Sequence, residues 1–239
     1  IKVKIGILKD EAQIFYKSYF LSKKNKTLPY IDGKIAISKD FFSINKKGKW
    51  ITNNLSRSKV HLIRSRYDCI LSTYKSVNKD NSKLNCRIKG LEHLSPSRVI
   101  IDKDLKLKKN LNIYDSAKKI KTYLIINKNN KKKEKFLKSK NIKLIKIKGK
   151  KKSFSYKEIL IRLKKRGFSR ILCESGLYTN KGFLKNNLFY NLYVFKSSKR
   201  LNKNGGNSYK NLLSRLKLKD KKKIDVKLSG DELYKLRIK

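Results

Sequence analysis

Glu174 is the residue whose position most directly suggests chemistry. It follows the short apolar run 170–173, which is typical of a buried strand, so its carboxylate is expected at the mouth of a sheet. The segment 72–80 and Asp102 follow two other apolar runs in the same way. Because ligands of parallel sheets bind at the carboxyl ends of the strands, we expect these polar residues along one edge. A carboxylate at such an edge can position a polar ligand.

Several other kinds of chemistry are excluded by the patterns that the sequence lacks. No Gly-x-Gly-x-x-Gly follows a strand and no P-loop pattern occurs, so a Rossmann-type dinucleotide site is not expected. The three cysteines show no Cys-x-x-Cys spacing, and neither His61 nor His93 has a neighbouring metal-ligand pattern, so no metal site is expected. His61 lies in a predicted helix, where a partly exposed structural role is more usual than catalysis.

Short apolar strands alternate with helices along most of the chain. The strand candidates are 30–38, 69–71, 98–102, 123–126, 142–147, 170–173 and 188–195, and a closing hairpin is expected from 224–228, a turn at Gly230-Asp231, and 233–238. Asn53 or Asn54 is expected to cap a helix whose buried face includes Leu55 and Val60. This alternation predicts an α/β fold with a mostly parallel central sheet, flanking helices and a C-terminal antiparallel hairpin.

The net charge of +48 first suggests a nucleic-acid partner or an anionic membrane surface. Lysine supplies most of that charge and is spread along nearly every segment, together with abundant Asn and Ile and few Ala or Pro. An AT-rich coding sequence would give this composition, so we expect mainly solvated lysines and no specific nucleic-acid partner. No apolar run approaches the roughly 18 residues of a membrane span, and the cysteine usage favours the cytoplasm.

Residues 1–28 differ from the rest of the chain. An alternating start is typical of a short strand, a helix is expected over 11–20, and the basic segment 23–27 is typical of a linker. The sequence contains no methionine, so we interpret the chain as a fragment of a longer protein.

An ordered series of short pieces follows this segment. The pieces are 29–40 (PYIDGKIAISKD), 49–52 (KWIT), 60–71 (VHLIRSRYDCIL), 76–87 (SVNKDNSKLNCR), 98–102 (RVIID) and 173–176 (CESG). The series resembles the reductase domain of the bifunctional riboflavin-biosynthesis deaminase/reductase family, from about Leu28 to the C-terminus. Residues 1–28 resemble the tail and linker of that family's deaminase domain, whose zinc chemistry would lie upstream, and 29–239 would be the reductase domain.

The resemblance implies a dihydrofolate-reductase-like fold, a homodimer, and NADPH-dependent reduction of 5-amino-6-(5-phosphoribosylamino)uracil. By position, Lys34 and Glu174 match the polar residues that face the reacting ribose and are the catalytic candidates. The residues that match substrate-contacting positions are Arg64, Leu84, Arg87 and Glu174. The residues that match cofactor-contacting positions are Ala36, Trp50, Ser76, Asp80 and, in an expected loop, Gly176, Leu177, Tyr178, Thr179 and Gly182. Two arginines suit a phosphate group because each planar guanidinium can bind two of its oxygens.

Other interpretations of these residues remain open from the sequence. Trp50 could be a core residue, Arg64 a solvated helix residue and Asp80 a turn or cap. The chain also departs from the family at Phe41, Gly48, Lys103 and Ser175, where glycine or small polar residues are usual. The alternative functions are a related dihydrofolate-reductase-like enzyme with another pyrimidine or pteridine substrate, and a basic nucleic-acid-binding module whose affinity would fall steeply with salt.

Overall fold

The computed structural model describes residues 2–147, 155–218, 221 and 223–239. Its helices are α1 (Lys9–Lys24), α2 (Asn54–Arg64), α3 (Tyr74–Asp80), α4 (Asn112–Asp115), α5 (Lys131–Ser139), α6 (Tyr156–Lys164), α7 (Leu177–Lys185) and α8 (Lys210–Arg215), with 3₁₀ turns at Glu92–Leu94 and Asn202–Asn204. Its strands are β1 (Tyr30–Ile37), β2 (Phe42–Asn45), β3 (Cys69–Thr73), β4 (Ser97–Ile101), β5 (Thr122–Ile126), β6 (Ile142–Lys146), β7 (Arg170–Cys173), β8 (Asn191–Lys196), β9 (Gly205–Ser208) and β10 (Glu232–Arg237).

The described strands form one large sheet of eight strands in the order β10-β8-β1-β7-β3-β4-β5-β6. Every neighbouring pair is parallel except β10 with β8, which is antiparallel. Strands β2 and β9 form a separate antiparallel pair that the sequence did not lead us to expect. The mostly parallel α/β sheet that the strand and helix alternation predicts is confirmed.

Helices cover both faces of this sheet because its central strands are apolar on both sides. On one face, Ile31, Leu71 and Ile171 pack with Ile159 and Leu163 of α6. The opposite face consists of two neighbouring clusters. One joins Ile70, Val77, Leu84, Ile100 and Leu124 beneath α3, α4 and α5, and the other joins Val60, Ile63, Leu172 and Phe195 beneath α2. The candidate site lies beside the second of these clusters.

Helix α2 begins at the predicted cap. The side chain of Asn53 accepts a hydrogen bond from the Ser56 N–H at 2.9 Å, which satisfies one of the free donors of the first turn. Val60 and Ile63 are buried as predicted, whereas Leu55 is 48% exposed, so its assignment to the buried face is wrong. The side chain of Ser56 donates instead to the buried carboxylate of Asp231 at 2.7 Å, and this bond ties the start of α2 to the C-terminal turn.

The two chain ends differ in how well the prediction describes them. No strand forms in the described residues 2–8, so the expected initial strand is wrong, whereas the expected helix is present and longer than predicted. The C-terminal antiparallel hairpin is confirmed, with its turn before Asp231. Its first arm makes only one bridge, between Lys223 and Tyr234, while its second arm is the full strand β10.

Phe41 occupies a turn that glycine would fill more easily. Its φ angle is 70°, in the left-handed region where a side chain clashes with the backbone. The Ser38 hydroxyl holds the turn. It donates a hydrogen bond to the Asp40 carboxylate at 2.6 Å and accepts one from the Phe42 N–H at 3.0 Å. This is the position where the resemblance leads one to expect glycine, and here a residue with a large side chain adopts the left-handed conformation.

Candidate active site

Three charged side chains meet at the carboxyl end of the central strands. Arg64 binds the Glu174 carboxylate with two hydrogen bonds, from Nε at 2.6 Å and from Nη2 at 3.0 Å. The Lys34 ammonium lies 3.6 Å from the second carboxylate oxygen. The three side chains are only 9–16% exposed, so solvent screens their interaction weakly. We call Lys34, Arg64 and Glu174 the ion triad.

Strand register explains why these residues meet. Gly33 of β1 lies beside Cys173 of β7, so Lys34 is level with Glu174 one strand away. Leu71 of β3 also lies beside Cys173, which places Ser72 level with Glu174 on the other side. The Ser72 hydroxyl donates to the Glu174 carbonyl at 2.7 Å and fixes the backbone from which the carboxylate projects. The predicted meeting of 72–80 and Glu174 at one edge is therefore confirmed.

The electrostatics of the ion triad keep Glu174 ionised. Burial alone would raise the pKa of its carboxyl, but the positive charges of Arg64 and Lys34 lower that pKa to about 2. Burial lowers the pKa of the Lys34 ammonium; the carboxylate opposes that shift and Arg64 adds to it. The triad thus holds a net positive charge with an ammonium that gives up its proton more readily than usual, as a proton donor or hydrogen-bond donor requires.

A second layer of contacts connects the triad to Arg87 through Asn85. The Asn85 carbonyl accepts from Arg64 Nη1 at 3.0 Å, and its side-chain oxygen accepts from Arg87 Nη1 at 2.7 Å. The Nδ1 nitrogen of His61 lies 2.8 Å from the same carbonyl, which requires the hydrogen on Nδ1. The two arginines therefore lie close together without a shared carboxylate, an arrangement that suits a phosphate group.

Sequence reasoning placed Ser72 at this edge but missed Asn85 and the role of His61. His61 is 8% exposed, so the expectation of a partly exposed helix residue is wrong. Asn85 lies between Leu84 and Arg87 in a segment already of interest, but no residue type or spacing shows that its carbonyl faces a helix. Asp102 follows β4, as expected, but its carboxylate stabilises its own loop. It accepts hydrogen bonds from the Lys106 and Leu107 N–H groups, both at 2.7 Å.

The remaining substrate and cofactor candidates are placed in different environments. Leu84 is buried in the core with a φ of 46°, so only its backbone can face a ligand. Trp50 is 53% exposed and is therefore not a core residue; the Arg57 guanidinium lies 4.6 Å above its ring. Asp80 is exposed at the end of α3, within electrostatic reach of Lys34. Ala36 is partly buried against the α2 cluster.

The segment 176–182 is a helix and not the expected loop. Gly176 precedes α7 and has no side chain to cap it, so the N–H groups of Leu177 and Tyr178 in its first turn are open to a ligand. Tyr178 is 86% exposed, whereas Thr179 is buried. Gly182 faces the interior, because a Cβ atom there would lie 2.2 Å from the Tyr156 ring. Ser76 lies in the first turn of α3, with its hydroxyl 3.3 Å from that of Thr73.

Within the described residues, no group of His, Cys, Asp and Glu could hold a metal ion. None of the helices described is both long and apolar enough to cross a membrane.

Stability is expected to fall as the pH drops from about 6.5 towards 4, partly through His61. Burial and the charges of Arg64 and Arg87 lower the pKa of His61 from 6.5 to about 4. Between these values the unfolded chain binds a proton that the folded chain does not, so the stabilisation present above pH 6.5 is lost towards pH 4. At about 1.4 kcal/mol for each pKa unit, the loss reaches up to about 3 kcal/mol.

Urea unfolding at several pH values measures this effect. We expect His61→Gln to flatten the slope of unfolding free energy between pH 6.5 and 4, and the exposed His93→Gln to leave it unchanged. Equal slopes in the wild type and His61→Gln would show that His61 titrates normally.

The fold and the ion triad together define a class of protein: an α/β domain with a charged, partly buried ligand site at the carboxyl edge of a mostly parallel sheet. Comparison with known proteins then identifies the family. Residues 29–226 match the sequence profile of the RibD C-terminal domain, and the chain belongs to that family.

Individual relatives agree with this assignment. The riboflavin biosynthesis protein RibD of Aquifex aeolicus is 30% identical over 207 residues, covering 83% of this chain and 54% of that protein. Among solved structures, RibD of Acinetobacter baumannii superposes with a TM-score of 0.77 at 20% identity, covering 99% of this chain and 65% of the other. A deaminase/reductase from Thermotoga maritima superposes with a TM-score of 0.73 at 25% identity, covering 97% and 62%. The chain therefore shares the α/β fold of these RibD structures, and it spans about half the length of its Aquifex relative.

Proposed function

We propose that this chain catalyses the NADPH-dependent reduction of 5-amino-6-(5-phosphoribosylamino)uracil to the ribitylamino product of riboflavin biosynthesis. The observation that carries the proposal is the ion triad beside Arg87. It combines a positioned carboxylate, an ammonium of lowered pKa and two neighbouring guanidinium groups at one strand edge. A reductase for a phosphorylated sugar imine needs these same elements.

In this proposal the protein positions the substrate and supplies a proton. The substrate's ribose opens to an imine, a hydride adds to its C1 carbon, and a proton adds to the imine nitrogen. Lys34 donates a hydrogen bond that polarises the reacting C=N group and can supply that proton, while Glu174 orients the ammonium and the ribose hydroxyls. Arg64, Arg87 and the backbone at Leu84 hold the substrate phosphate.

NADPH supplies the hydride when bound. The residues present fit such a group: a Cβ atom at Gly176 would have open space within 4 Å, and Tyr178 and Trp50 expose aromatic surface. The first-turn N–H groups of α7 can receive a phosphate of the cofactor. We propose Ala36, Ser76 and Asp80 as further contacts from β1 and α3. Leu177 shares the first turn of α7, whereas Thr179 and Gly182 contribute by shaping the helix rather than by touching the cofactor.

A matched pair of glycine variants separates cofactor contact from packing. We expect Gly176→Ala to leave the unfolding free energy unchanged, since nothing lies within 4 Å, but to weaken NADPH binding. We expect Gly182→Ala to cost about 1–3 kcal/mol, because the added methyl must displace the Tyr156 ring. Thermal unfolding and NADPH fluorescence titration measure the two effects. Unaltered NADPH affinity in Gly176→Ala would place the cofactor elsewhere.

NADPH oxidation in the presence of the deaminated phosphoribosylaminouracil is the test of the proposed function. We expect turnover by the wild type and a strong rise in KM for Arg64→Ala, because one of two phosphate-binding groups is lost. Oxidation of NADPH with a pteridine but not with this substrate would favour the related dihydrofolate-reductase-like alternative. Tight, salt-sensitive binding of duplex DNA without NADPH binding would favour the nucleic-acid module.

We further propose that residues 1–28 are the tail and linker of an upstream deaminase domain and that 29–239 is the reductase domain. On α1, Phe15, Tyr16 and Phe20 are 51–74% exposed, an unusual density of aromatic surface for a free helix. We propose a cytoplasmic homodimer, with the buried free thiols of Cys69, Cys86 and Cys173 supporting a reducing compartment. Light scattering of the purified chain tests the dimer.

A further inference from the structure

A cavity of about 570 Å³ is lined in part by Arg87, and no residue of the ion triad is in its lining. Its walls come from the segment 85–87, the 3₁₀ turn Glu92–Leu94 with Ser95, and the turn 116–120 that precedes β5. A volume of this size is within the range of small-molecule sites. The proposed reductase function assigns a role to Arg87 but none to His93, Ser116 or Lys119 in this lining.

The lining of the cavity is rich in groups that bind anions. Arg87, His93 and Lys119 line it, with Glu92 as the one acidic side chain in the lining that the structure describes. The Ser116 hydroxyl accepts a hydrogen bond from Arg98 at 2.9 Å, so its own proton is left to donate into the cavity. An anion entering the cavity would therefore meet cations and a hydroxyl donor together.

Arg98 places an additional positive charge directly behind this wall. Its side chain is fully buried, and its five N–H groups all donate to neutral acceptors: Thr122 Oγ1, Ser116 Oγ and the carbonyls of Lys83, Ile113 and Ile120. No carboxylate pairs with it among the residues that the structure describes.

A buried charge without a counter-charge is unusual, because burial away from water penalises the charged form. Two of the groups that bind Arg98, Ser116 and Ile120, also line the cavity. Through these two residues the buried charge of Arg98 adjoins the cavity wall, where an anion could offset it.

We propose that this cavity is a second anion site that binds a phosphate-bearing ligand. A phosphate group matches the lining because it can accept hydrogen bonds from Ser116, Lys119 and Arg87 at once. The volume leaves room for more than inorganic phosphate, so a phosphate monoester fits best. The site is distinct from the proposed substrate site but shares Arg87 with it, since Arg87 also contacts Asn85 beside the triad.

Titration calorimetry of the full chain tests this site, with inorganic phosphate and ribose 5-phosphate as the two probes at constant ionic strength. NADPH and the reductase substrate are left out, so the result does not depend on turnover. The variants are His93→Ala/Lys119→Ala, which removes two cavity groups, and Lys118→Ala, which removes an exposed lysine next in sequence but outside this lining. Thermal unfolding confirms that each variant is folded.

We expect saturable binding in the wild type and in Lys118→Ala; binding at the proposed substrate site through Arg64 would remain in the double variant, so the component lost there belongs to the cavity. Affinity should fall by about tenfold or more in the double variant, since each hydrogen bond to a charged group is worth about one tenfold step. Tighter binding of either probe identifies the source of the phosphate, and both results support the site. Equal affinity in the double variant, or binding that does not saturate, would overturn the proposal even if the reductase assay succeeds.

Discussion

Replacing Glu174 with glutamine is expected to remove nearly all reductase turnover and to destabilise the fold at the same time. Glutamine is close in size, but it leaves Arg64 and Lys34 facing each other without the negative charge that both now contact. Breaking a buried ion group by removing one partner costs about 3–5 kcal/mol. For a chain of this length that corresponds to a drop in Tm of roughly 6–20 °C.

The loss of turnover has a separate cause. Under the proposed function, the carboxylate holds the Lys34 ammonium toward the reacting ribose, and loss of a positioned proton donor costs about 10²–10⁴-fold in rate. The instability of Glu174→Gln should shrink as the pH rises, because Lys34 can then lose its proton and relieve the repulsion from Arg64. Stopped-flow NADPH oxidation and urea unfolding at two pH values measure both effects.

Glu158→Gln is the matched control for this variant. Glu158 also pairs with an arginine, Arg162 at 3.0 Å, but both side chains are more than a third exposed. A solvent-exposed pair is worth about 0–1 kcal/mol, so this variant should keep its stability and turnover. Normal stability and normal turnover in Glu174→Gln would show that the ion triad contributes to neither. Lower stability with normal turnover would show that the triad has only a structural role.

The sheet was predictable from sequence because its strands are short apolar runs separated by helical segments. The expected strands over 69–71, 98–102 and 123–126 correspond to β3, β4 and β5 within two residues at each end. Helix ends were predictable where a side chain caps them, as at Asn53 and at Ser155, which accepts from the Glu158 N–H. The segment 176–182, for which the resemblance implied a loop, begins helix α7 instead, and Gly182 is a packing position inside that helix.

The candidate site was harder to predict from the sequence than the sheet, because its residues become neighbours only through the pairing and register of the strands. Lys34 and Glu174 are far apart in sequence, and only the pairing of β1 with β7 makes them neighbours. A local apolar pattern cannot specify which strands pair, so the resemblance to a family was needed to bring these residues together. Contacts made by backbone carbonyls, such as those of Asn85 with Arg64 and His61, carry no signal in side-chain identity.

Arg98 is a core residue whose environment the sequence likewise does not reveal. As part of the apolar run 98–102, it was expected only to begin a strand, where an arginine usually extends into solvent. The structure instead buries it completely at the start of β4, where it binds three separate segments through Lys83, through Ile113 and Ser116 of α4 and its cap, and through Thr122. Burial lowers the pKa of its guanidinium to about 10, so it stays charged at neutral pH.

Arg98→Met is therefore expected to be the most destabilising single change on this side of the sheet, by about 4 kcal/mol or more. Methionine fills much of the same volume and removes the cost of burying a charge, but it removes the donor of the Lys83 and Ile113 carbonyls and of the Ser116 and Thr122 hydroxyl oxygens, while the Ile120 carbonyl keeps the Thr122 hydroxyl. Each buried acceptor left unpaired costs about 1–3 kcal/mol, and the sum exceeds the gain from removing the charge. Urea unfolding measures the loss as a lower midpoint at an unchanged m value.

Two further variants identify which property of Arg98 matters. Arg98→Lys keeps the charge but has three donors in place of five. Its free energy of unfolding should therefore lie between those of the wild type and Arg98→Met. Arg237→Met removes an exposed arginine at the end of β10 and should change stability by no more than about 0.5 kcal/mol. If Arg98→Lys were as stable as the wild type, the positive charge alone would account for the stabilisation. If Arg98→Met were more stable than the wild type, the cost of burying the charge would exceed the stabilisation from its hydrogen bonds. The hydrogen-bond geometry favours neither outcome, because every N–H of the guanidinium has an acceptor.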